Sequence, residues 1–174
     1  MPLREQLSDE LGRLSELVPT RSSVPPPRGD LKQLEVLVVD DEPAALHALV
    51  VAVHCFGYSC QTARSGEEAL RLYQVHPVDI VVCDWNMPGM TGLELTAALK
   101  CSSRPPYVIL VTGHGDARML DDVPNGPDDF LPKPLDLDDL EVRMKAASHL
   151  LCSMSALEGA VAESDMKLVE QPEG

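Results

Sequence analysis

Aromatic residues make up only 3% of this 174-residue chain: one Trp, three Tyr and two Phe. A core built on aromatic packing is excluded, and with 44% of residues apolar the interior must come from Val, Leu, Ile and Ala. Basic residues are scarce too, 14 Lys and Arg against 28 Asp and Glu, for a net charge of −14. Phosphate contacts need clustered cations, so this balance argues against direct binding of nucleic acid or of an anionic membrane. The carboxylate excess is compatible with a divalent-cation site, although surface solubility explains it as readily. No apolar run reaches the length of a membrane-spanning helix. The opening MPLREQLSDELG is charged throughout and lacks a signal peptide's apolar centre, which makes the cytoplasm the expected compartment. Cys55, Cys60, Cys83, Cys101 and Cys152 are odd in number and contain no CxxC pair. They read as small buried hydrophobes in a reducing compartment, with one thiol at the surface.

What is present is organised. Residues 1–18 place Leu3, Leu7, Leu11, Leu14 and Val18 on one helical stripe. Such a short helix, weakened at Gly12, must pack on the domain body or on its own copy, which would make a homodimer. A Pro- and Ser-rich linker occupies 19–33. A compact domain is expected over 34–151, followed by a helix extension and acidic tail over 152–174. Within the domain, strands are predicted at 35–40, 58–63, 79–84, 107–112 and 128–132. Helices are predicted at 43–57, 65–75, 91–101 and 135–154, with a short piece near 116–122. Ser65 and Glu68 have the spacing of a capping box. Five strands alternating with helices imply an α/β fold, a parallel sheet between helical layers.

The stretch DIVVCDWNMPGMTG (79–92) sets a carboxylate, Asp84, directly after a fully apolar strand. In open α/β sheets, ligands bind beyond the carboxyl ends of the strands. Other strands end in comparable groups: Asp40 and Asp41 after the first, Thr112 at the end of the fourth, Lys133-Pro134 after the fifth. Singly these read as caps, β-branched residues and solvated charges. Together they make a site in which crowded carboxylates would be relieved by a hard cation, Mg²⁺ or Mn²⁺ in its place. Asp41, Asp84 and a backbone carbonyl near Asn86 would suffice as ligands, with Asp40 orienting the shell. Lys133 would neutralise a phosphoryl group while Asp84 attacks it, and Thr112 would hydrogen-bond the product. No Gly-rich phosphate loop follows the first strand, which weighs against a phosphatase or flavin site. Pro88, Gly89 and Gly92 read as turn-shaping, Met87 and Met90 as packing, and His47, His54, His76 and His149 show no ligand spacing.

The segments VLVVDDEP (36–43), VDIVVCDWNMPGMTGLEL (78–95), YVILVTGHGD (107–116) and DDFLPKPLDLDDL (128–140) resemble the receiver domain of bacterial two-component response regulators over residues 34–151. The resemblance implies a flavodoxin-like, doubly wound five-stranded sheet of order 2-1-3-4-5. It implies Asp84 as phosphoacceptor, Asp40 and Asp41 as the metal-binding acid pair, and Lys133 as the phosphate-pairing lysine. Thr112 matches the switch hydroxyl, Phe130 the aromatic switch, and Lys133-Pro134 a cis peptide bond. Asn86 and His114 fall where the lifetime of the phosphorylated state is tuned, although a plain surface histidine is the better reading of His114. The implied partners are a sensor histidine kinase or phosphotransfer protein and an unknown downstream protein target. The implied chemistry is self-phosphorylation and self-dephosphorylation, not turnover of an external substrate.

Two features depart from the pattern. Pro124, Asn125, Gly126 and Pro127 leave room for only a shortened fourth helix. Nothing after residue 151 is long enough for an output domain, so the chain is expected to be either a single-domain regulator or a piece of a longer one. The alternative function is a phosphorylation-independent docking or dimerisation platform. The crowded acids argue against it, because a retired site has no need of like charges.

Overall fold

The structure is a computed structural model that describes residues 34–113 and 125–169, with side chains described through Ser155. The leucine-striped helix of 1–18, the linker of 19–33, the shortened fourth helix near 116–122 and His114 lie outside the described residues.

Strands β1 (Glu35–Val39), β2 (Ser59–Ala63), β3 (Ile80–Asp84), β4 (Tyr107–Thr112) and β5 (Asp129–Pro132) form one sheet. Their order is β2-β1-β3-β4-β5 and every pairing is parallel, as expected. The described helices are α1 (Pro43–Cys55), α2 (Gly66–Val75), α3 (Gly92–Lys100) and α4 (Leu137–Val169). Because side chains alternate along a strand, each central strand feeds both faces of the sheet. Val36, Val38, Ile80, Val82, Ile109 and Val111 pack on one face with Leu49 and Val53 of α1 and Leu140, Met144 and Ala147 of α4. Leu37, Val39, Val81, Cys83, Val108 and Leu110 pack on the other with Ala69 and Tyr73 of α2 and Leu95 and Leu99 of α3. Each fully buried side chain of this kind contributes about 1.5–3 kcal/mol. The continuous apolar strands follow from this: a sheet covered on both faces has no polar side.

Three local expectations are corrected. Ser65 does cap α2, its Oγ accepting the Glu68 N–H at 3.1 Å. The reciprocal half of the box is missing, because the Glu68 carboxylate accepts the Arg64 N–H at 2.7 Å instead. The complete box belongs to α3, where Thr91 and Glu94 satisfy each other's backbone N–H. The closing helix, expected over 135–154 with an extension and an acidic tail over 152–174, continues as helix through most of that tail, to Val169; the segment 155–169 has no proline and only one glycine, Gly159, to stop it. The cysteines are less buried than expected: Cys83 is buried, Cys60 and Cys152 are half-buried, and Cys55 and Cys101 are exposed.

The turn after β3 depends on Gly92. Its N–H bonds the Trp85 carbonyl at 2.9 Å while the Trp85 N–H bonds Val111. A Cβ at Gly92 would stand 2.2 Å from the Asp84 carbonyl oxygen. Gly92→Ala should therefore force the end of β3 out of register and cost about 1–3 kcal/mol. Urea denaturation checks this, and an unchanged midpoint would mean the turn is free to shift.

Candidate functional site

Parallel pairing in the order β2-β1-β3-β4-β5 brings the carboxyl ends of β1, β3 and β4 side by side. Asp40 follows the last residue of β1, Asp84 is the last residue of β3, and Thr112 is the last of β4. The carboxylate oxygens of Asp40, Asp41 and Asp84 lie within 4.8 Å of one another. Asp40 and Asp84 are buried and Asp41 is half-buried. Asp40 is anchored at both ends of the residue. Its N–H bonds the Ala63 carbonyl at 3.2 Å, and its Oδ1 accepts the Glu42 N–H at 2.8 Å.

Burial is the largest influence on Asp40 and raises its pKa above the ordinary carboxylate value; the Glu42 N–H opposes this and the Asp84 charge adds to it. The ionised form is thus disfavoured in the folded state. Asp40 opposes folding at neutral pH, and the opposition disappears only as pH falls through the raised value toward the ordinary one.

Lys133 supplies the positive charge. Its Nζ is 2.7 Å from Asp84 Oδ1, with the lysine side chain 43% exposed and the aspartate 5%. Burial works against the ammonium, but the hydrogen bond to Asp84 and the charges of Asp84, Asp40 and Glu42 outweigh it and raise its pKa above the ordinary lysine value. The pair's contribution is fully present below the ordinary lysine range and is lost only as pH rises through the raised value. The backbone aims the side chain: the Lys133 N–H bonds the Thr112 carbonyl at 2.7 Å, and the Lys133-Pro134 peptide bond is cis.

Thr112 is the outlier. It is fully buried, and its Oγ1 has no hydrogen-bond partner among the described residues. A buried hydroxyl left unmade costs about 1–3 kcal/mol. The adjacent Cys83 thiol gives its proton to the Asp84 carbonyl oxygen at 3.1 Å. Burial, and secondarily the charges of Asp84 and Asp40, push its pKa up, so the thiol does not compete as a nucleophile.

Of the remaining candidates, Asn86 is exposed in the loop after β3 and Phe130 is 38% exposed on β5. Two contributors escaped the sequence reading. Gly92 is required by close approach rather than by a turn alone. Glu67, in the first turn of α2, holds the loop by accepting the Met90 N–H at 2.9 Å. Nothing in the sequence marks a bond between positions 23 residues apart.

The donor set is all oxygen, clustered and anionic, which suits Mg²⁺. Thr112, whose carbonyl accepts the Lys133 N–H, ends the strand beside β3 with a buried hydroxyl that has no partner among the described residues. Among the described residues no helix is long and apolar enough to cross a membrane.

The model of the response regulator receiver domain matches residues 36–145. The transcriptional regulatory protein KdpE of Mycobacterium tuberculosis is 33% identical over 135 residues, 78% of this chain and 60% of that protein. The response regulator MprA of Mycolicibacterium vanbaalenii is 35% identical over 114 residues, 65% of this chain and 49% of that one. The chain therefore spans about half to three-fifths of these relatives' length. Their names as regulators do not support the expectation of no nucleic-acid contact, which rests on charge alone. Among solved structures, a receiver domain protein from Clostridium thermocellum superposes with a TM-score of 0.64 at 27% identity, covering 70% of this chain and 98% of that one. A receiver protein from Pseudomonas putida gives 0.57 at 33% identity, covering 64% and 97%.

Replacing Asp40 by Asn keeps the acceptor for the Glu42 N–H and removes one buried charge. In metal-free buffer at neutral pH, Asp40→Asn should raise Tm by about 2–4 °C. Added Mg²⁺ should raise the Tm of the unsubstituted protein and have a smaller effect on the variant. Calorimetry with and without Mg²⁺ reads both, and equal metal effects would remove Asp40 from the cation site.

Proposed function

The chain belongs to the response regulator receiver domain family, and from that premise we propose that it accepts a phosphoryl group on Asp84 and switches conformation to control a partner protein. The donor is a sensor histidine kinase or a phosphotransfer protein, and the reaction takes place in the cytoplasm. The observation that carries the reading is the convergence at one sheet edge of the Lys133–Asp84 ion pair, the clustered acids and Thr112, whose buried hydroxyl has no partner among the described residues.

In the transfer, a carboxylate oxygen of Asp84 forms a bond to phosphorus as the bond from phosphorus to the donor's imidazole nitrogen breaks. The electron pair leaves with the imidazole, which takes up a proton. Lys133 holds Asp84 Oδ1 before the reaction and shares its charge with the phosphoryl oxygens afterwards. The buried strand β3 keeps the nucleophile from turning away, so the reaction gains from orientation as well as from charge. Asp40, Asp41, Asp84 and the Asn86 backbone carbonyl would hold Mg²⁺, or Mn²⁺ in its place. When bound, the cation neutralises phosphoryl oxygens that three carboxylates would otherwise repel.

Once the aspartyl-phosphate exists, Thr112 Oγ1 donates to one of its oxygens and loses its penalty. Movement of Thr112 opens space into which the part-exposed Phe130 turns. The phosphoryl group thus stabilises one of two arrangements by contacts that it makes in only that one. Asn86, exposed in the loop after β3, tunes the lifetime of the acyl phosphate, and His114 is the second sequence candidate for that role. The catalysis is confined to the protein's own phosphorylation and dephosphorylation.

The test uses Trp85, the only tryptophan, adjacent to Asp84. Mg²⁺ followed by a small acyl-phosphate donor should give two successive fluorescence changes, and intact-mass measurement should show one added phosphoryl group. Asp84→Asn should abolish the second change and the added mass. Thr112→Ala should keep the added mass but lose the conformational response. If the histidine kinase partner also fails to load the unsubstituted protein, the phosphoacceptor reading is wrong.

A further inference from the structure

The loop after β3 is tied down at points outside itself. Asp84 is fixed by a strand buried on both faces, but Asn86, whose backbone carbonyl would join the carboxylates around Mg²⁺, lies beyond that strand and is exposed. The loop is closed at its base: the Trp85 N–H donates to the Val111 carbonyl, and the Trp85 carbonyl accepts the Gly92 N–H, each at 2.9 Å. Between these ends Met87 is buried in the core, whereas Pro88 and Gly89 are exposed. Met90 brings the chain back. Its side chain packs against the same core cluster as Met87, and its N–H donates to Glu67 Oε1 at 2.9 Å.

Glu67 belongs to a different element, the first turn of α2, and its fit to the loop leaves no slack. A Cβ on Gly89, which has a φ of +79°, would stand 2.7 Å from Glu67 Oε1, and one on Gly66 would stand 2.8 Å from the Met90 carbonyl oxygen. Its own N–H first, and then the Met90 N–H, hold the Glu67 carboxyl below the ordinary carboxylate range. The acceptor is thus ionised at neutral pH. Mg²⁺ demands near-ideal octahedral geometry from its oxygen ligands. A carbonyl on an exposed loop serves it well when the loop is ordered before the metal arrives, because ordering the loop on binding costs affinity.

We infer that Glu67 is a positioning residue for the phosphoacceptor site, holding the loop between β3 and α3 through Met90 so that the Asn86 carbonyl is in place for Mg²⁺. This role rests on the phosphoacceptor reading, in which Asn86 is a metal ligand. Glu67 is not one of the clustered acids, Asp40, Asp41 and Asp84, and it acts through the loop rather than on the cation.

Mg²⁺ titration of the full chain, followed by Trp85 fluorescence and by calorimetry, tests this role. Glu67→Ala should weaken Mg²⁺ binding about tenfold, the lower end of what loss of a ligand-orienting partner costs, while the urea midpoint in metal-free buffer stays near that of the unsubstituted protein. Glu67→Gln keeps an oxygen to accept the Met90 N–H and should recover most of the affinity. Glu68→Gln removes a charge one residue away, where the carboxylate accepts the Arg64 N–H instead, and should leave Mg²⁺ binding unchanged. Without metal, amide exchange at Met90 should be faster in Glu67→Ala and not in Glu67→Gln. Mg²⁺ binding by Glu67→Ala as tight as that of the unsubstituted protein would overturn the role. So would equal weakening by Glu67→Ala and Glu67→Gln, which would make the charge of the carboxylate, not its bond to the loop, the source of the effect. Both outcomes leave the phosphoacceptor reading standing, whereas an unsubstituted protein that binds no Mg²⁺ would remove that reading and this role with it.

Discussion

Three carboxylates with oxygens inside 4.8 Å are the constraint on which this structure turns. Left to themselves, Asp40, Asp41 and Asp84 would part by rotation or by movement of the backbone. The backbones of Asp84 and Asp40 are not free to do so. Asp84 ends a strand buried on both faces, its following turn is tied to β4 through Trp85 and Val111, and Gly92 presses against its carbonyl. Asp40 is held by Ala63 on one side and Glu42 on the other. The apolar sheet does more than stabilise the domain: it keeps like charges together that would otherwise separate, and Lys133 is the one described cation set against Asp84 to offset them.

Much of this was legible in the sequence, for reasons that differ from element to element. Strands β1, β3 and β4 announce themselves as unbroken apolar runs because both sheet faces are covered, and β2 was legible more weakly because it is a half-exposed edge. The site was legible because a parallel sheet sends every carboxyl end to one rim, so the residues that end strands become neighbours whatever their separation along the chain. What the sequence hid depends on exact geometry. Ser65–Glu68 and Thr91–Glu94 have the same spacing, yet only the second closes a full capping box. The Glu68 carboxylate was free to choose between two backbone donors, and it took Arg64. Glu67 reaching Met90 is a contact between the first turn of a helix and a loop, and it leaves no periodic trace.

The length of α4 shows another limit of pattern reading. Periodicity over 135–154 reports the stripe that faces the core, and the stripe ends where the core ends. The helix does not, because helix continuation is governed by the absence of breakers as well as by burial. A segment without proline, with Ala, Leu and Glu at many positions, keeps helical geometry past the last core contact.

In the proposed switch, the Thr112 hydroxyl is the group through which a small ligand would move the domain. Among the described residues it is the one buried side-chain oxygen or nitrogen without a hydrogen-bond partner, so it has most to gain from a new ligand oxygen. Relief of a penalty of about 1–3 kcal/mol shifts a two-state balance by roughly five- to 150-fold. At its upper end that inverts a balance starting near about one in a hundred, at its lower end it does not invert even one near about one in ten, and a balance near about one in a thousand is beyond either. Either the two arrangements already lie close in energy, or Lys133 contributes as well by transferring its charge from Asp84 to the phosphoryl oxygens. The second contribution acts through the backbone that Lys133 shares with Thr112, since its N–H bonds the Thr112 carbonyl. Hydroxyl and ammonium are thus joined at the main chain, and a ligand that engages one draws on the position of the other.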